Sequence, residues 1–174
     1  MLERLFKRRS IDRVLQGFTP KALILDFDGV FTDNKVIVTA DGAESAICDR
    51  SDGFAIQSLQ RRGFPILVLS TEKVPIVKAR SQKLGLSCIH GASDKAAILR
   101  QWFNENRIDP QHAVYVGNDV NDVECMKLVG LPVAVADAFP EARTVARVVL
   151  SARGGNGAVR EIAMAITKSL DSHR

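Results

Sequence analysis

The sequence predicts a three-layer α/β/α domain on a mostly parallel sheet, and three observations carry that reading. Short apolar runs alternate with segments of helical period along 174 residues, without internal repeats or low-complexity stretches. The strongest runs, 22–25, 65–69 and 113–116, are apolar almost throughout, as strands covered on both faces are. Each also stops abruptly in polar residues. In open α/β sheets ligands sit outside the carboxyl ends of the strands, so residues far apart in sequence converge there.

The length suits one domain, with residues 1–20 as a basic leader, 21–170 as the domain and 171–174 as a tail. No stretch is apolar for long enough to span a bilayer, and the leader lacks the apolar core of a secretory signal. The net charge of +4 is local. Arg4, Lys7, Arg8, Arg9, Arg13 and Lys21 stand against Glu3 and Asp12 in residues 1–21, while 18 basic and 18 acidic residues balance in the rest. No basic stripe is interleaved with aromatics, so the reading is a solvated, partly helical appendage with neither nucleic acid nor membrane as partner. Cys48, Cys88 and Cys125 lack metal-ligand spacing. They read as buried, reduced thiols, which points to the cytoplasm.

In chain order, Leu2, Leu5, Phe6, Val14 and Leu15 give 1–16 a weak helical period that Gly17 and Pro20 end. Residues 22–25 form the first strand and deliver Asp26, Asp28 and Gly29. Residues 36–48 read as a β-hairpin around Asp41-Gly42, placed where an α/β unit would normally start its helix. A helix opens at Ser51, with Phe54, Ile56 and Leu59 on one face, and closes at Arg61, Arg62 and Gly63. The strand 65–69 ends in Ser70-Thr71-Glu72, and a helix runs from 73 to 84 with Pro75 in its first turn. A short strand 85–89 leads through a loop to Lys95 and a helix to 106. The strand 113–116 ends in Gly117-Asn-Asp119-Val-Asn-Asp122, with a helix to 128. Strands at 132–135 and 145–150, the glycine loop 153–157 and an amphipathic helix 158–170 complete the chain.

Asp26 and Asp28 differ by two, so an extended backbone points both side chains one way. Like charges so close repel unless a cation lies between them or one is protonated. Ser70 with Thr71, Lys95, and Asp119 with Asp122 recur at other strand ends or helix starts. Each has a structural alternative: an acidic turn at Asp26-Asp28, Ser70 or Asp119 as a helix cap, Lys95 as a solvated lysine. Jointly they suit phosphoryl transfer. A carboxylate attacks phosphorus, a second handles the leaving-group proton, and hydroxyl and ammonium hold the transferred group. All-oxygen ligation fits magnesium rather than zinc.

Asp26-x-Asp28-Gly-Val-x-Thr-Asp33, Ser70, Lys95 and Gly117-Asn-Asp119-x-x-Asp122 resemble the four motifs of the haloacid dehalogenase (HAD) superfamily. The hairpin after the first motif, Tyr115-Val-Gly-Asn-Asp119, Val129-Gly-Leu-Pro-Val-Ala-Val-Ala-Asp137-Ala and Arg153-Gly-Gly-Asn-Gly-Ala-Val-Arg160-Glu161 resemble its cap-less branch. That branch contains 3-deoxy-octulosonate 8-phosphate phosphatases, nonulosonate (sialic-acid-type) 9-phosphate phosphatases and the C-terminal domain of animal acylneuraminate cytidylyltransferases.

The resemblance implies a Rossmann-like fold without a cap domain and a magnesium-dependent phosphatase of a phosphorylated sugar acid. It implies Asp26 as nucleophile, Asp28 as general acid/base, and Ser70 and Lys95 on the phosphoryl group. Magnesium would be held by Asp26, the Asp28 carbonyl and Asp119, with Asp122 in support. It further implies a homotetramer, with hairpins at the interface and the tail 154–160 closing over a neighbouring site. Thr71, Glu72, Gly154, Gly155 and Arg160 would then contact substrate. Two departures bear on the substrate: Ser70-Thr71-Glu72 stands where octulosonate phosphatases read Thr-Gly-Arg, which leans to the nine-carbon acids, and Asn156 stands where many relatives have Arg. Asn118 replaces a second Asp, at little cost if Asp119 is the ligand. A non-catalytic oligomerisation module and a phosphatase for another small metabolite are the alternatives.

Overall fold

The computed structural model describes residues 10–172. Ser10 caps a short helix, α1 (Ile11–Leu15), and accepts from the Arg13 N–H at 3.4 Å. Strand β1 (Ala22–Leu25) follows, with every residue shielded from solvent. The hairpin β2 (Ile37–Val38) and β3 (Glu44–Ser45) forms a separate two-stranded sheet whose turn places Gly42 at φ +82°. The remaining elements alternate: α2 (Ser51–Gln60), β4 (Ile66–Leu69), α3 (Pro75–Leu84), β5 (Ser87–Ile89), α4 (Lys95–Asn106), β6 (Ala113–Gly117), α5 (Val123–Leu128), β7 (Leu131–Ala134), α6 (Pro140–Val145), β8 (Val148–Val149) and α7 (Ala158–Ser172). Short 3-10 turns precede β6 and α5.

The main sheet is parallel throughout, in the order β5-β4-β1-β6-β7-β8. From β1 the chain winds outward through β4 to β5, then crosses back to β6 and winds the other way. The order therefore reverses between β1 and β6, which opens a crevice at their carboxyl ends. Helices α1, α2 and α7 pack together, as do α4, α5 and α6. Right-handed crossovers put these groups on opposite faces of the sheet. The register pairs Leu25 with both Val68 and Val116, so Asp26, Ser70 and the 117–119 turn leave the sheet at one level.

Three expectations need correction, and one element was not foreseen. Of the leader, residues 1–9 lie outside the described residues; α1 is no solvated appendage, because Ile11, Val14 and Leu15 are buried in the core and α1 packs on α7. Phe54 faces solvent at 66% exposure, and Ala55 takes the inward position beside Ile56 and Leu59. Cys48 and Cys88 are only half-buried, and Cys125 alone is fully buried; all three are free thiols. Helix α6 is too short for its period to register in sequence. Among the described residues no helix is long and apolar enough to cross a membrane.

One buried carboxylate joins two helices. Asp52, fully buried in the first turn of α2, accepts from the Arg160 N–H of α7 at 3.0 Å, and its other oxygen has no partner. Burial pushes its pKa up to about 6. The folded chain thus holds this proton more tightly than the unfolded one. The contribution is fully present below the ordinary carboxylate pKa and is lost as pH rises through about 6. Asp52→Asn keeps the acceptor without the charge. Denaturation midpoints are expected to show the variant more stable than wild type at about pH 8, by at most about 2–3 kcal/mol, with the gap closing near pH 4.

Candidate active site

Asp26 is the first residue beyond β1, and its N–H still pairs with the Val116 carbonyl at 3.0 Å. Its side chain is almost fully buried, and its Oδ1 accepts from Lys95 Nζ at 2.8 Å. Lys95 opens α4 behind the Asp94 cap, which accepts from the Ala97 N–H at 2.9 Å. The same ammonium donates to Asp122 Oδ1 at 2.7 Å. Asp122, wholly buried, also accepts from Tyr115 Oη at 2.7 Å, the Asn118 N–H at 2.8 Å and the Asp119 N–H at 3.3 Å. Burial pushes the pKa of Asp26 up to about 7, the Asp122 charge adds to this, and Lys95 opposes it. For Lys95, burial disfavours the charge, but the two carboxylates outweigh burial and hold it protonated.

The turn after β1 is fixed by its own residues. Gly29 sits at φ +79°, and a Cβ there would lie 2.0 Å from the Asn118 amide. The buried Thr32 hydroxyl accepts from the Gly29 N–H at 3.1 Å and the Asn34 N–H at 3.2 Å. With its amide nitrogen turned inward, Asn118 donates to the Asp28 carbonyl at 2.9 Å and to Asp26 Oδ2 at 3.2 Å. Turned the other way, its oxygen lies 2.9 Å from the Asp28 carbonyl oxygen and 3.2 Å from Asp26 Oδ2, an approach of oxygens that a hard cation would favour. Asp119 lies at the rim, where it caps the next turn through Val120 N–H at 2.6 Å. Among the described residues no three His, Cys, Asp or Glu side chains cluster as a metal cage. The converging set is instead one carboxylate, one backbone carbonyl and one amide.

Asp26, Asp28, Asn34, Thr71, Glu72, Asn118 and Asp119 line a cleft of about 210 Å³. Among the described residues no lysine or arginine lines it, and Lys95 lies beneath. Burial raises the pKa of Asp28, with Glu72 the next cause, and its Oδ2 is buried without a partner. A dianionic ester entering among these carboxylates needs further positive charge. The oxygen-only donors and the orphaned Asp28 oxygen fit a hard divalent cation. Ser70, buried at the end of β4, accepts from the Glu72 N–H at 3.0 Å. A second pocket of about 240 Å³ shares Asp28, Asn34 and Glu72 with the cleft and adds Phe27, Val36, Glu44, Val74 and Ile76.

The tail residues fall elsewhere in their own chain. Gly154 donates to Asp137 Oδ1 at 2.9 Å, and Gly155 donates to the Val30 carbonyl at 3.1 Å. Both brace the loop after Asp28 from behind. Arg160 is exposed, 5.9 Å from the Phe54 ring, and lines a different groove. The sequence reading included Tyr115 in a strand-end motif but gave its hydroxyl no role, and it missed the turn-holding role of Thr32.

The family profile for haloacid dehalogenase-like hydrolases matches residues 56–162. The chain belongs to the haloacid dehalogenase-like hydrolases. It is 32% identical over 154 residues to the 3-deoxy-D-manno-octulosonate 8-phosphate phosphatase KdsC of Escherichia coli (strain K12), covering 88% of this chain and 82% of that protein. A solved hydrolase assigned to the HAD family from Streptomyces avermitilis MA-4680 superposes with a TM-score of 0.84 at 46% identity, over 88% of this chain and 89% of that one. The 3-deoxy-D-manno-octulosonate 8-phosphate phosphatase of Moraxella catarrhalis, solved with magnesium, phosphate and KDO, gives 0.85 at 26% identity over 94% and 95%. The resemblance read from the motifs to the octulosonate phosphatases and the expected α/β fold are both borne out.

The bracing of the hydrolase's first loop is testable. A Cβ on Gly154 would meet the Gly29 carbonyl oxygen at 2.0 Å, whereas one on Gly42 would meet nothing. Gly154→Ala is expected to lower stability by more than about 2 kcal/mol in denaturant titration, against about 1 kcal/mol for Gly42→Ala, whose cost is conformational alone.

Proposed function

We propose that this hydrolase removes the phosphoryl group from a phosphorylated 3-deoxy-ulosonic or nonulosonic acid, with magnesium as cofactor. The observation that carries the reading is the nearly buried Asp26, with one oxygen held by Lys95 and the other beside the Asn118 amide, which also meets the Asp28 carbonyl. Asp26 Oδ2 attacks phosphorus and forms an aspartyl-phosphate while the ester oxygen departs. Asp28, whose pKa is raised, gives its proton to that oxygen and takes one from the water that cleaves the intermediate. The Ser70 hydroxyl and the Lys95 ammonium hold the transferred oxygens. The cation would be held by Asp26, the Asp28 carbonyl and the Asn118 amide oxygen, with Asp119 at the rim and Asp122 in support through Lys95 and the 118–119 backbone. When bound it neutralises nucleophile and phosphoryl group together.

Asp28 lies where the cleft meets the second pocket, so the leaving alcohol extends between Glu72 and Glu44. Glu72 there accepts hydroxyls and supports a nine-carbon acid, while similarity to the KdsC phosphatases supports the eight-carbon one. The exposed Val36, Ile37, Val38 and Ile47 of the hairpin support a homotetramer joined there. In it the 154–160 tail of a neighbour, with Arg160, faces the cleft and the substrate carboxylate. The reading carries no role for nucleic acid or membrane and is compatible with a cytoplasmic enzyme.

Phosphate release from octulosonate 8-phosphate, nonulosonate 9-phosphates and simple sugar phosphates tests the reaction. Turnover of an acid sugar is expected with magnesium and is expected to vanish with chelator. Asp26→Asn should lose activity by at least about a thousandfold while keeping its melting temperature. Wild-type-like turnover in that variant overturns the mechanism.

The metal donors have a separate test that needs no turnover. Asn118→Ala should weaken magnesium affinity by about tenfold or more in calorimetry, and Asp119→Ala by less than about threefold. The reverse order would restore Asp119 as the ligand.

A further inference from the structure

We propose that Tyr115 is a positioning residue for the reaction: its hydroxyl fixes how Lys95 is shared between Asp122 and Asp26. The inference rests on the phosphatase reading and gives a role to a residue to which the motif resemblance assigns none.

Asp122 is held at both oxygens. Oδ2 accepts from two backbone N–H groups, those of Asn118 and Asp119, so the turn after β6 pins one end of the carboxylate. Oδ1 accepts from Lys95 Nζ and Tyr115 Oη, both at 2.7 Å. Two donors therefore divide the charge of one oxygen. Without the hydroxyl, that charge falls on Lys95 alone and draws the ammonium toward Asp122. The distance that must then lengthen is the 2.8 Å contact between Lys95 and Asp26.

The ammonium has three N–H bonds, and two go to these carboxylates. The third is left for the phosphoryl group above Asp26. A displacement of a few tenths of an ångström toward Asp122 misaims it. The Tyr115 ring centroid lies 5.8 Å from Nζ, so one side chain both floors the ammonium and tunes its partner.

A core-filling role alone does not account for the hydroxyl. Tyr115 is completely buried on β6, where phenylalanine would supply the same ring. A buried hydroxyl without a partner is unfavourable, and this one donates to Asp122. Burial, followed by the charges of Asp122 and Asp26, keeps the phenol protonated.

Tyr115→Phe removes the hydroxyl and keeps the ring. The expected result is a fall in kcat of about tenfold to a hundredfold, the worth of one hydrogen bond to a charged group, with KM within about twofold. In an Asp122→Asn background the same change should add little, because the route to Lys95 is already cut. Wild-type kcat in Tyr115→Phe, or a loss that adds in full to that of Asp122→Asn, overturns the inference. Tyr115 is the single tyrosine of the chain, so growth on 3-fluorotyrosine places fluorine on this ring alone. Should a variant fail to fold, the fluorine resonance decides. A shift on adding orthovanadate with magnesium supports coupling to the phosphoryl site, and an unmoved resonance in vanadate-inhibited enzyme overturns it. A wild-type protein inert toward every phosphate ester would sink the phosphatase reading itself. An active wild type with an indifferent Tyr115→Phe would sink this inference alone.

Discussion

One ammonium group buried between two carboxylates underlies the site. Lys95 lies under the cleft within 2.8 Å of Asp26 and 2.7 Å of Asp122, and all three side chains are almost sealed from water. Two carboxylates at this depth would not both stay charged without it. The sheet makes the arrangement possible: β1 delivers Asp26, β6 leads into the turn of Asp122, and α4 crosses back from β5 with Lys95 at its first residue. The register of three chain segments thus meets at one nitrogen atom.

The charge balance of the cleft follows from that commitment. Lys95 is used up below the floor, so the walls present Asp26, Asp28, Asp119 and Glu72, with no lysine or arginine among the described residues that line them. A cleft built this way is poorly suited to anions on its own and well suited to an anion that arrives with a divalent ion. The loop after Asp28 must then hold its shape against repulsion. Thr32 ties it from within, Asn118 packs on Gly29, and Gly154 and Gly155 close against its back. The glycine tail is in this respect part of the site's frame in its own chain.

Much of this was legible in the sequence. The apolar runs that stop in Asp26, Ser70 and Gly117 gave the strands, and their polar ends gave the cleft, because a parallel sheet brings such ends to one edge. Lys95 was legible as a helix start and, through the motifs, as a group on the phosphoryl oxygens; its burial between two carboxylates depends on the crossover. The rest was set by contacts far apart in sequence. Tyr115 reads as the strand residue that leads into a motif, and its hydroxyl has no role until Asp122 is found beside it. Asn118 reads as a harmless exchange until its amide is found between Asp26 and Asp28. Phe54 follows the helical period with Ile56 and Leu59 yet faces outward, because α7 covers α2 along the Ala55 side. The leader's charge hid the apolar face of α1, which α7 buries.

The central claim is that Asp26 becomes phosphorylated. Rapid quench during turnover of a sugar-acid phosphate, reduction with borohydride and peptide mass spectrometry would read it most directly. The account predicts that Asp26 alone is converted to homoserine, and only when substrate is present. Reduction at another carboxylate, or none during measured turnover, would contradict it.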